Sequence, residues 1–148
     1  MTIGWEIRAF KELSAGELYN VLRLRSEVFV VEQNCVYQDI DNKDQKALHL
    51  IGSCDGQIIA YARLFKPGDY FDDASIGRVV IDSHYREKKW GHDLMRKAIG
   101  AISLYFNENK ITISAQSYLK AFYSQHGFKH IGEEYLEDDI PHIRMQNY

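Results

Sequence analysis

A short basic segment in the second half of the chain has the composition of an anion site. Three of the four residues from 86 to 89 are basic, in a chain whose Lys and Arg total 18 against 21 Asp and Glu. A helical pattern begins near Gly91, and a helix N-terminus presents unpaired N–H groups and the positive end of its dipole. The segment therefore predicts a phosphate site, with a solvated charged turn as the alternative. It contains neither a GxxxxGK[ST] nor a GxGxxG loop, so it does not specifically favour nucleoside triphosphates or dinucleotides.

The elements before this segment are predicted from periodicity and capping. Residues 5–9 alternate between apolar and polar side chains, which predicts a half-buried strand. A capping box that begins at Ser14 starts a helix over residues 14–31. Residues 32–46 are polar and irregular, and because loops of this length are commonly functional, we expect a substrate loop there.

The middle of the chain predicts a hairpin, a buried strand and a helix. Asp55 and Gly56 separate two β-rich runs and predict a type I′ turn. Residues 75–81 end in a continuous apolar run, which predicts a central strand buried on both faces. Apolar residues recur at helical spacing from residue 94 to residue 106 and predict an amphipathic helix.

The remaining elements complete a mixed α/β order. Residues 111–115 form a short predicted strand, and a helix from Ser117 to about residue 126 is stopped by Gly127 in the position of a left-handed cap. A closing hairpin is predicted around residues 138–139. The predicted order is β α β β β α β α β β.

Composition limits the classes of protein to which the chain can belong. Its 148 residues, 45% hydrophobic and 26% charged, predict one globular domain over residues 1–148. The net charge of −3 argues against a nucleic-acid partner. The sequence has no bilayer-length apolar stretch and no leader pattern, so we expect a cytoplasmic protein without a membrane partner. The two cysteines, Cys35 and Cys54, do not have the spacing of metal ligands, and neither do the histidines. No bound metal is therefore expected.

Residues 78–95 resemble the acyl-CoA-binding motif of the GNAT superfamily of N-acetyltransferases, whose loop reads Gln/Arg-x-x-Gly-x-Gly/Ala. The match includes the strand before the loop, Arg86, Gly91 and the Leu-Met pair that opens the helix. Lys89 stands where the family has its first glycine. A lysine can occupy ordinary helical or turn φ/ψ there and would add charge beside a pyrophosphate.

Further segments resemble the same superfamily in the same order. Residues 121–128 are similar to its Tyr-x-x-x-Gly-Phe motif, and residues 30–35, 37–41 and 137–143 resemble its ElaA-type branch. The resemblance implies a GNAT fold, which is a twisted, mixed, mostly antiparallel sheet splayed between strands 4 and 5 with flanking helices. Acetyl-CoA would lie in the V-shaped gap of this α/β sheet.

The same resemblance implies an acetyl-CoA-dependent N-acetyltransferase that moves the acetyl group to a primary amine by direct attack in a ternary complex. Backbone N–H groups of the 87–92 segment would hold the pyrophosphate, and a backbone N–H at or near Val80 would polarise the thioester carbonyl. The residues assigned to acetyl-CoA are Val79, Val80, Ile81, Arg86, Glu87, Lys88, Lys89, Trp90, Gly91, His92, Gln116 and Tyr123.

Three residues are candidates for the proton transfers. Tyr123 is the expected general acid toward the leaving thiolate, and its alternative is a core tyrosine packed on the neighbouring phenylalanines. Glu32 and His142 are candidate general bases because GNAT folds bring their segments to the acceptor side of the sheet. The alternatives are a helix-end carboxylate for Glu32 and a hydrogen-bonded strand histidine for His142.

The acceptor is constrained only by charge. Asp39 and Asp41 in the 32–46 loop, with the acidic residues at 133–139, favour a cationic amine without separating a polyamine, a small-molecule amine and a protein amine. Exposed solubility charges are the alternative for the two aspartates. Cys35 is disfavoured as a nucleophile, because direct transfer to an amine needs none.

Two other functions remain open at this stage. A non-catalytic acyl-CoA-binding module would bind acetyl-CoA without transferring its acyl group. An interaction protein would use the aromatic segment 61–71 and the last strand as a docking edge, and such an edge is also compatible with a homodimer.

Overall fold

Two antiparallel sheets carry the fold in the computed structural model, which describes residues 2–148. The first has the strand order β1-β2-β3-β4 and contains β1 (Gly4–Ala9), β2 (Leu48–Cys54), β3 (Gln57–Phe65) and β4 (Ser75–Ile81). The second has the order β5-β7-β6 and contains β5 (Thr112–Gln116), β6 (Lys129–Glu137) and β7 (Ile140–Gln146).

Within the described residues, three α-helices connect the strands: α1 (Ala15–Arg25), α2 (Trp90–Phe106) and α3 (Lys120–Ser124). The predicted capping box starts α1, since the Ser14 hydroxyl accepts from the N–H of Glu17 and the Glu17 carboxylate accepts from the N–H of Ser14. After Arg25 the helix widens into a π-helical segment, Ser26–Glu32. The predicted order of strands and helices is confirmed. No helix within residues 2–148 has the length and apolar character needed to cross a membrane.

Both predicted hairpin turns have the backbone that a type I′ turn requires. Asp55 and Gly56 have φ angles of 51° and 79°, and Asp138 and Asp139 have φ angles of 51° and 63°. Positive φ at both central residues matches the twist of the flanking strands. These turns pair β2 with β3 and β6 with β7.

The two sheets separate between β4 and β5, as the predicted fold requires. A single parallel bridge joins Ala74 to Ile111, and the N–H of Thr112 donates to the carbonyl of Ala74 at 2.9 Å. No ladder continues from this bridge along β4 and β5. The sheets are therefore joined at one end and open at the other.

The prediction that residues 75–81 form a central strand is wrong, because β4 is the last strand of the first sheet. Its apolar run has a different cause. Val80 packs with Val21, Leu24 and Val28 of the first helix, whereas Ile76 belongs to the main core with residues of α2. A strand covered by a helix on each face can be apolar throughout even though one of its edges is unpaired.

A network of buried ion pairs attaches the 32–46 loop to the first sheet. The network consists of Arg25, Arg63, Arg78, Asp39, Asp41 and Asp44. Arg25 lies 2.9 Å from a carboxylate oxygen of Asp39 and 2.8 Å from one of Asp44. The guanidinium of Arg63 makes two parallel hydrogen bonds to Asp41, at 2.8 and 2.9 Å. Bidentate pairing of this kind fixes the geometry of both side chains.

The expectation that Asp39 and Asp41 are exposed charges that attract a cationic acceptor is contradicted by this network. Asp39 is only 7% exposed, and Arg25 and Arg78 both contact its carboxylate. Asp41 is held by Arg63. Two carboxylates that are already neutralised by arginines stabilise the loop and have little charge left for a ligand.

The network predicts a loss of stability in acid. Burial acts to raise the pKa of Asp41, but hydrogen bonds and charge from Arg63, with charge from Arg78, outweigh it and lower the pKa to about 2. The carboxyl has a pKa of about 4 in the unfolded chain, so its stabilising contribution is complete above pH 4 and is lost as the pH falls toward 2. We expect the free energy of unfolding, measured by urea titration, to fall over this range.

Asp41→Asn removes this titration, so its free energy of unfolding should change less steeply between pH 4 and pH 2. Asp72→Asn is the matched control, because Asp72 is exposed and should leave the slope unchanged. Equal slopes for Asp41→Asn and the unmodified protein would contradict the prediction.

Candidate active site

A cavity of about 620 Å³ occupies the open gap between the two sheets. Its walls come from β4, β5, the end of the first helix, α3 and the β6–β7 hairpin. The predicted site residues that line it are Glu32, Val79, Val80, Ile81, Arg86, Lys89, Gly91, His92, Gln116, Tyr123 and His142. The structure therefore brings most of the predicted site together.

Three predicted residues do not line this cavity: Glu87, Lys88 and Trp90. The indole of Trp90 stacks on Tyr85 with ring centroids 6.0 Å apart, on the side of the small cluster around Cys54. Lys88 lines a second, more open cavity with Lys89 and Arg96. The side chains of Trp90 and Lys88 thus lie outside the gap, and the exposed Glu87 does not line it. The backbone groups of all three belong to the predicted phosphate loop.

A β-bulge in β4 lies where the gap begins to widen. Tyr61 faces Val80 and Arg63 faces Gly77, so Ala62 alone is opposite two residues, Arg78 and Val79. Arg78 has a φ of 50°, which is a left-handed conformation for a residue that carries a Cβ. A bulge disrupts the ladder locally and leaves backbone groups unpaired. In β4, the backbone groups that the bulge leaves unpaired lie next to the edge of the strand that pairs with no other strand.

The side chain of Arg78 is held by the loop that precedes β2. Its Nε lies 2.7 Å from a carboxylate oxygen of Asp39, an ion-pair contact, and its Nη2 donates to the carbonyl of Asp39 at 3.1 Å. The guanidinium also lies 5.7 Å from the ring centre of Tyr37, whose hydroxyl donates to Asp39 at 2.8 Å. These contacts compensate for the strained backbone at the bulge.

The predicted phosphate loop is a short 3-10 helix, Ser83–Lys88, followed directly by α2. Asp82 caps the 3-10 helix, because its carboxylate accepts from the N–H of His84 at 2.9 Å. The prediction of ordinary φ/ψ for Lys89 is wrong: φ is 60° and ψ is 24°. Lys89 therefore adopts the left-handed backbone that a glycine adopts most easily, at a cost of about 1–2 kcal/mol.

Gly91 lies close to α3. A Cβ at this position would lie 3.4 Å from the ring of Phe122, which is an ordinary van der Waals distance. The first turn of α2 is therefore near α3. The N-terminus of α2 is thereby placed at the cavity.

Glu32 and Arg86 form an ion pair at the mouth of the gap. The two guanidinium nitrogens of Arg86 lie 2.7 and 3.1 Å from the two carboxylate oxygens of Glu32, and Nε donates to the carbonyl of Ile81 at 3.2 Å. A carboxylate whose two oxygens both accept from one guanidinium is held in a fixed orientation and has both oxygens occupied. The geometry thus favours a role for Glu32 in positioning Arg86.

Tyr123 is buried and lines the cavity. Its ring makes edge contacts with Phe122 and Phe128, at centroid distances of 5.1 and 6.4 Å. Its hydroxyl hydrogen-bonds to none of the described residues, so it remains available to a bound molecule. Burial raises the pKa of Tyr123 well above its usual value, and the nearby Tyr118 adds to this effect. The phenol is therefore protonated at any working pH.

His142 faces the cavity from β7, with its side chain almost fully buried. Its Nδ1 lies 2.7 Å from the carbonyl of Ile140, and its Nε2 lies 3.4 Å from a carboxylate oxygen of Glu137. The other oxygen of Glu137 accepts from the hydroxyl of Ser114 at 3.2 Å. A carbonyl only accepts hydrogen bonds, so it fixes the proton on Nδ1 and leaves Nε2 as the proton-accepting nitrogen.

The sequence did not indicate that Ser114 hydrogen-bonds to Glu137, or that Glu137 contacts His142. Glu137 was noted only as one of several acidic residues, and Ser114 was not considered. Strand alternation carries the signal, because Ser114 and Gln116 share one face of β5 and Tyr135 and Glu137 share one face of β6. Knowing that β7 lies between these two strands is what would bring the faces together.

A reciprocal amide pair crosses the open end of the gap. The side chains of Gln33 and Gln116 donate to each other, both at 3.2 Å. Gln33 follows the π-helical segment that continues the first helix, and Gln116 is the last residue of β5 in the second sheet. Nearby, the Cys35 thiol donates to the carbonyl of Asp138 at 3.3 Å. Burial and the charges of Asp138 and Asp139 raise the pKa of Cys35, which makes its thiolate scarce.

The geometry fits an acyl-CoA group. The gap is narrow and open-ended, β4 offers unpaired backbone groups along one wall, and the N-terminus of α2 closes one end with Arg86 and Lys89 beside it. Among residues 2–148, no three His, Cys, Asp or Glu side chains converge as metal ligands.

Comparisons with known proteins agree with this geometry. Residues 12–148 match the family model described as an acetyltransferase (GNAT) domain. Protein ElaA of Escherichia coli K12 is 40% identical over 145 residues, which cover 97% of this chain and 95% of ElaA. Its crystal structure superposes with a TM-score of 0.92 over 99% of this chain and 100% of that one.

A second solved structure, described as an acyl-CoA N-acyltransferase from Pseudomonas aeruginosa, is similarly close. It shares 42% identity with this chain and superposes with a TM-score of 0.94, covering 99% of this chain and 100% of that one. Both relatives match over nearly the full length of the chain, including both sheets and the gap between them. The chain therefore belongs to the acetyltransferase (GNAT) domain family, whose members are acyltransferases that use an acyl-CoA co-substrate.

Proposed function

We propose that the protein is an N-acetyltransferase that transfers the acetyl group of acetyl-CoA directly to a primary amine, with both substrates bound at once. The observation that carries this proposal is the juxtaposition, in one cavity, of the unpaired edge of β4, the free hydroxyl of Tyr123 and the Nε2 of His142. Acetyl-CoA supplies an acyl thioester, and the other steps fall to residues of this chain. Because both sheets line the same cavity, we propose that residues 1–148 act as one domain.

Residues along β4 and α2 bind the co-substrate in this proposal. Backbone groups of Val79, Val80 and Ile81 pair with the amides of the pantetheine arm, as a further strand would. The N-terminus of α2 and the side chains of Arg86 and Lys89 bind the pyrophosphate, where a helix end and positive charge act together. The bulge at Arg78 turns a backbone N–H near Val80 toward the thioester carbonyl, where it polarises that bond.

Two side chains move protons. His142 takes the proton of the acceptor amine at Nε2, because its Nδ1 proton is committed to the carbonyl of Ile140. Tyr123 donates its hydroxyl proton to the departing sulfur. Its phenol is held protonated and has no competing partner among the described residues. No covalent enzyme intermediate is needed, so Cys35 has no catalytic role.

The proposal is tested by thiol release from acetyl-CoA across a panel of alkylamines, aminoglycosides and peptides with free amines. We expect thermal stabilisation by acetyl-CoA and amine-dependent release of CoA. Stabilisation without release for every amine would instead support a non-catalytic acyl-CoA-binding module. If acetyl-CoA produces no stabilisation and no release is seen, both assignments are contradicted.

A further inference from the structure

Three strands of the second sheet carry a continuous polar chain that ends at His142. The hydroxyls of Tyr135 on β6 and Ser114 on β5 are hydrogen-bonded to each other. Ser114 donates to Glu137 at 3.2 Å, and the other carboxylate oxygen of Glu137 lies 3.4 Å from the Nε2 of His142. Glu137 is thus held in position at one oxygen and faces the proposed base with the other.

The contact between Glu137 and His142 is unfavourable while the ring of His142 is neutral. Nδ1 carries the proton of the neutral ring, so the lone pair of Nε2 faces a carboxylate oxygen that also has only lone pairs. A positive charge placed between them, or a proton added to Nε2, converts this repulsion into attraction. The protonated ammonium group of an alkylamine provides both the charge and the proton.

Glu32, Glu137 and Asp138 are the carboxylates that line the cavity, and among the described residues only Glu137 contacts the proposed base. Glu32 is neutralised by Arg86, and the loop aspartates Asp39, Asp41 and Asp44 are neutralised by the arginine network. Within residues 2–148, neither Lys nor Arg forms an ion pair with Glu137, whose side chain is 41% exposed. Its negative charge is therefore available to a ligand in the cavity.

The cavity next to Glu137 also has an apolar wall. Phe65 and Tyr70 both line it and stack on each other with ring centroids 5.2 Å apart. Tyr70 and Glu137 line the same cavity, and burial, followed by the charge of Glu137, raises the pKa of Tyr70. A carboxylate beside stacked aromatic rings suits a cation on a short carbon chain.

We infer that Glu137 is a specificity-determining residue that binds the ammonium group of an alkylamine acceptor and directs its proton to the Nε2 of His142. This inference rests on the proposed acetyl transfer and names its substrate class as primary alkylamines that are cationic at neutral pH. The ammonium proton moves to Nε2, the amine nitrogen bonds to the acetyl carbon as the carbon–sulfur bond breaks, and Tyr123 protonates the sulfur. The second amine proton leaves the new amide nitrogen to solvent and His142 returns its proton to Tyr123, so that one proton is released overall.

The test compares Glu137→Gln with two acceptors: the best alkylamine of the panel and hydroxylamine, which is uncharged at neutral pH. Glutamine retains an oxygen to accept from Ser114 but has no charge. We expect the KM of Glu137→Gln for the alkylamine to rise about fivefold to tenfold, because a hydrogen bond between charged groups is lost. Transfer to hydroxylamine and the KM for acetyl-CoA should change less than about twofold.

Glu134→Gln is the matched control, because Glu134 lies on the same strand, is exposed and makes no ion pair among the described residues. It should behave like the unmodified protein with both acceptors. The KM of Glu137→Asp for the alkylamine should lie between the values for Glu137→Gln and for the unmodified protein. The role of Glu137 would be overturned by an unchanged KM of Glu137→Gln for the alkylamine, or by equal losses of activity with both acceptors. Neither result would contradict the proposed function. Failure of the unmodified protein to acetylate any amine would instead contradict the proposed function, and with it this inference.

Discussion

Replacing Tyr123 by phenylalanine is expected to lower turnover at least tenfold while leaving the affinity for acetyl-CoA unchanged. The phenylalanine ring fills the same space between Phe122 and Phe128, so packing and the cavity wall are preserved. Only the hydroxyl is lost, and with it the proposed proton donor to the departing sulfur. General acid catalysis typically contributes about 10²- to 10⁴-fold to a rate.

The raised pKa of Tyr123 is compatible with this role. Burial disfavours a charged phenolate, and it equally disfavours a charged thiolate beside it, so the basicity of both groups rises together. The difference in proton affinity between the Tyr123 phenolate and the leaving thiolate therefore changes less than the phenol pKa alone suggests. A protonated phenol can in addition stabilise the thiolate by a hydrogen bond before the proton moves.

Turnover is measured by thiol release at saturating amine, and acetyl-CoA affinity by calorimetry. Tyr105→Phe is the control, because Tyr105 is exposed near the end of α2 and does not line the cavity. It should match the unmodified protein in both measurements. A Tyr123→Phe variant with unchanged turnover would remove Tyr123 from the catalytic machinery and leave it as a core tyrosine.

The second large effect concerns stability: Asp44→Asn should lower the free energy of unfolding by about 3 kcal/mol. One carboxylate oxygen of Asp44 accepts from Arg25 at 2.8 Å and from Arg63 at 3.0 Å. Both arginine side chains are almost completely buried. Asparagine keeps an oxygen at this position but removes the charge, which leaves two buried guanidinium groups with less negative charge around them.

A loss of this size corresponds to a fall in Tm of roughly 6–12 °C for a domain of this length. Urea titration at pH 7 gives the free energy directly. Asp72→Asn again serves as the control and should change the free energy by less than about 0.5 kcal/mol, as is usual for an exposed position. If Asp44→Asn is as stable as this control, the ion-pair network contributes nothing to the fold.

Local signals account for the parts of the fold that were predicted correctly. The turn at Asp55 and Gly56, the cap at Ser14 and the left-handed Gly127 each depend on a few consecutive residues. Such features are determined by backbone sterics and by hydrogen bonds within one turn of chain. The gap between β4 and β5 was expected from the family resemblance and could not have been derived from these local signals.

Contacts between distant residues account for the errors. Asp39 was taken for an exposed charge because its partners, Arg25 and Arg78, lie 14 and 39 positions away in sequence. The left-handed conformation of Lys89 follows from the junction of a 3-10 helix with α2, and the sequence carried no sign of that 3-10 helix. The pairing of Glu137 with His142 likewise depends on the fold of the closing hairpin.

The single bridge between Ala74 and Ile111 has a consequence for motion. Each sheet is internally hydrogen-bonded, whereas beyond this bridge no ladder connects β4 to β5. One sheet can therefore rotate slightly against the other about residues 74 and 111 without breaking any strand pairing once the Gln33–Gln116 amide pair opens, and the displacement grows with distance from that hinge. The width of the gap between the sheets changes most at Val80 and Gln116, where the two substrates would meet. Rotation of one sheet against the other on the microsecond to millisecond timescale would therefore act where the chemistry occurs.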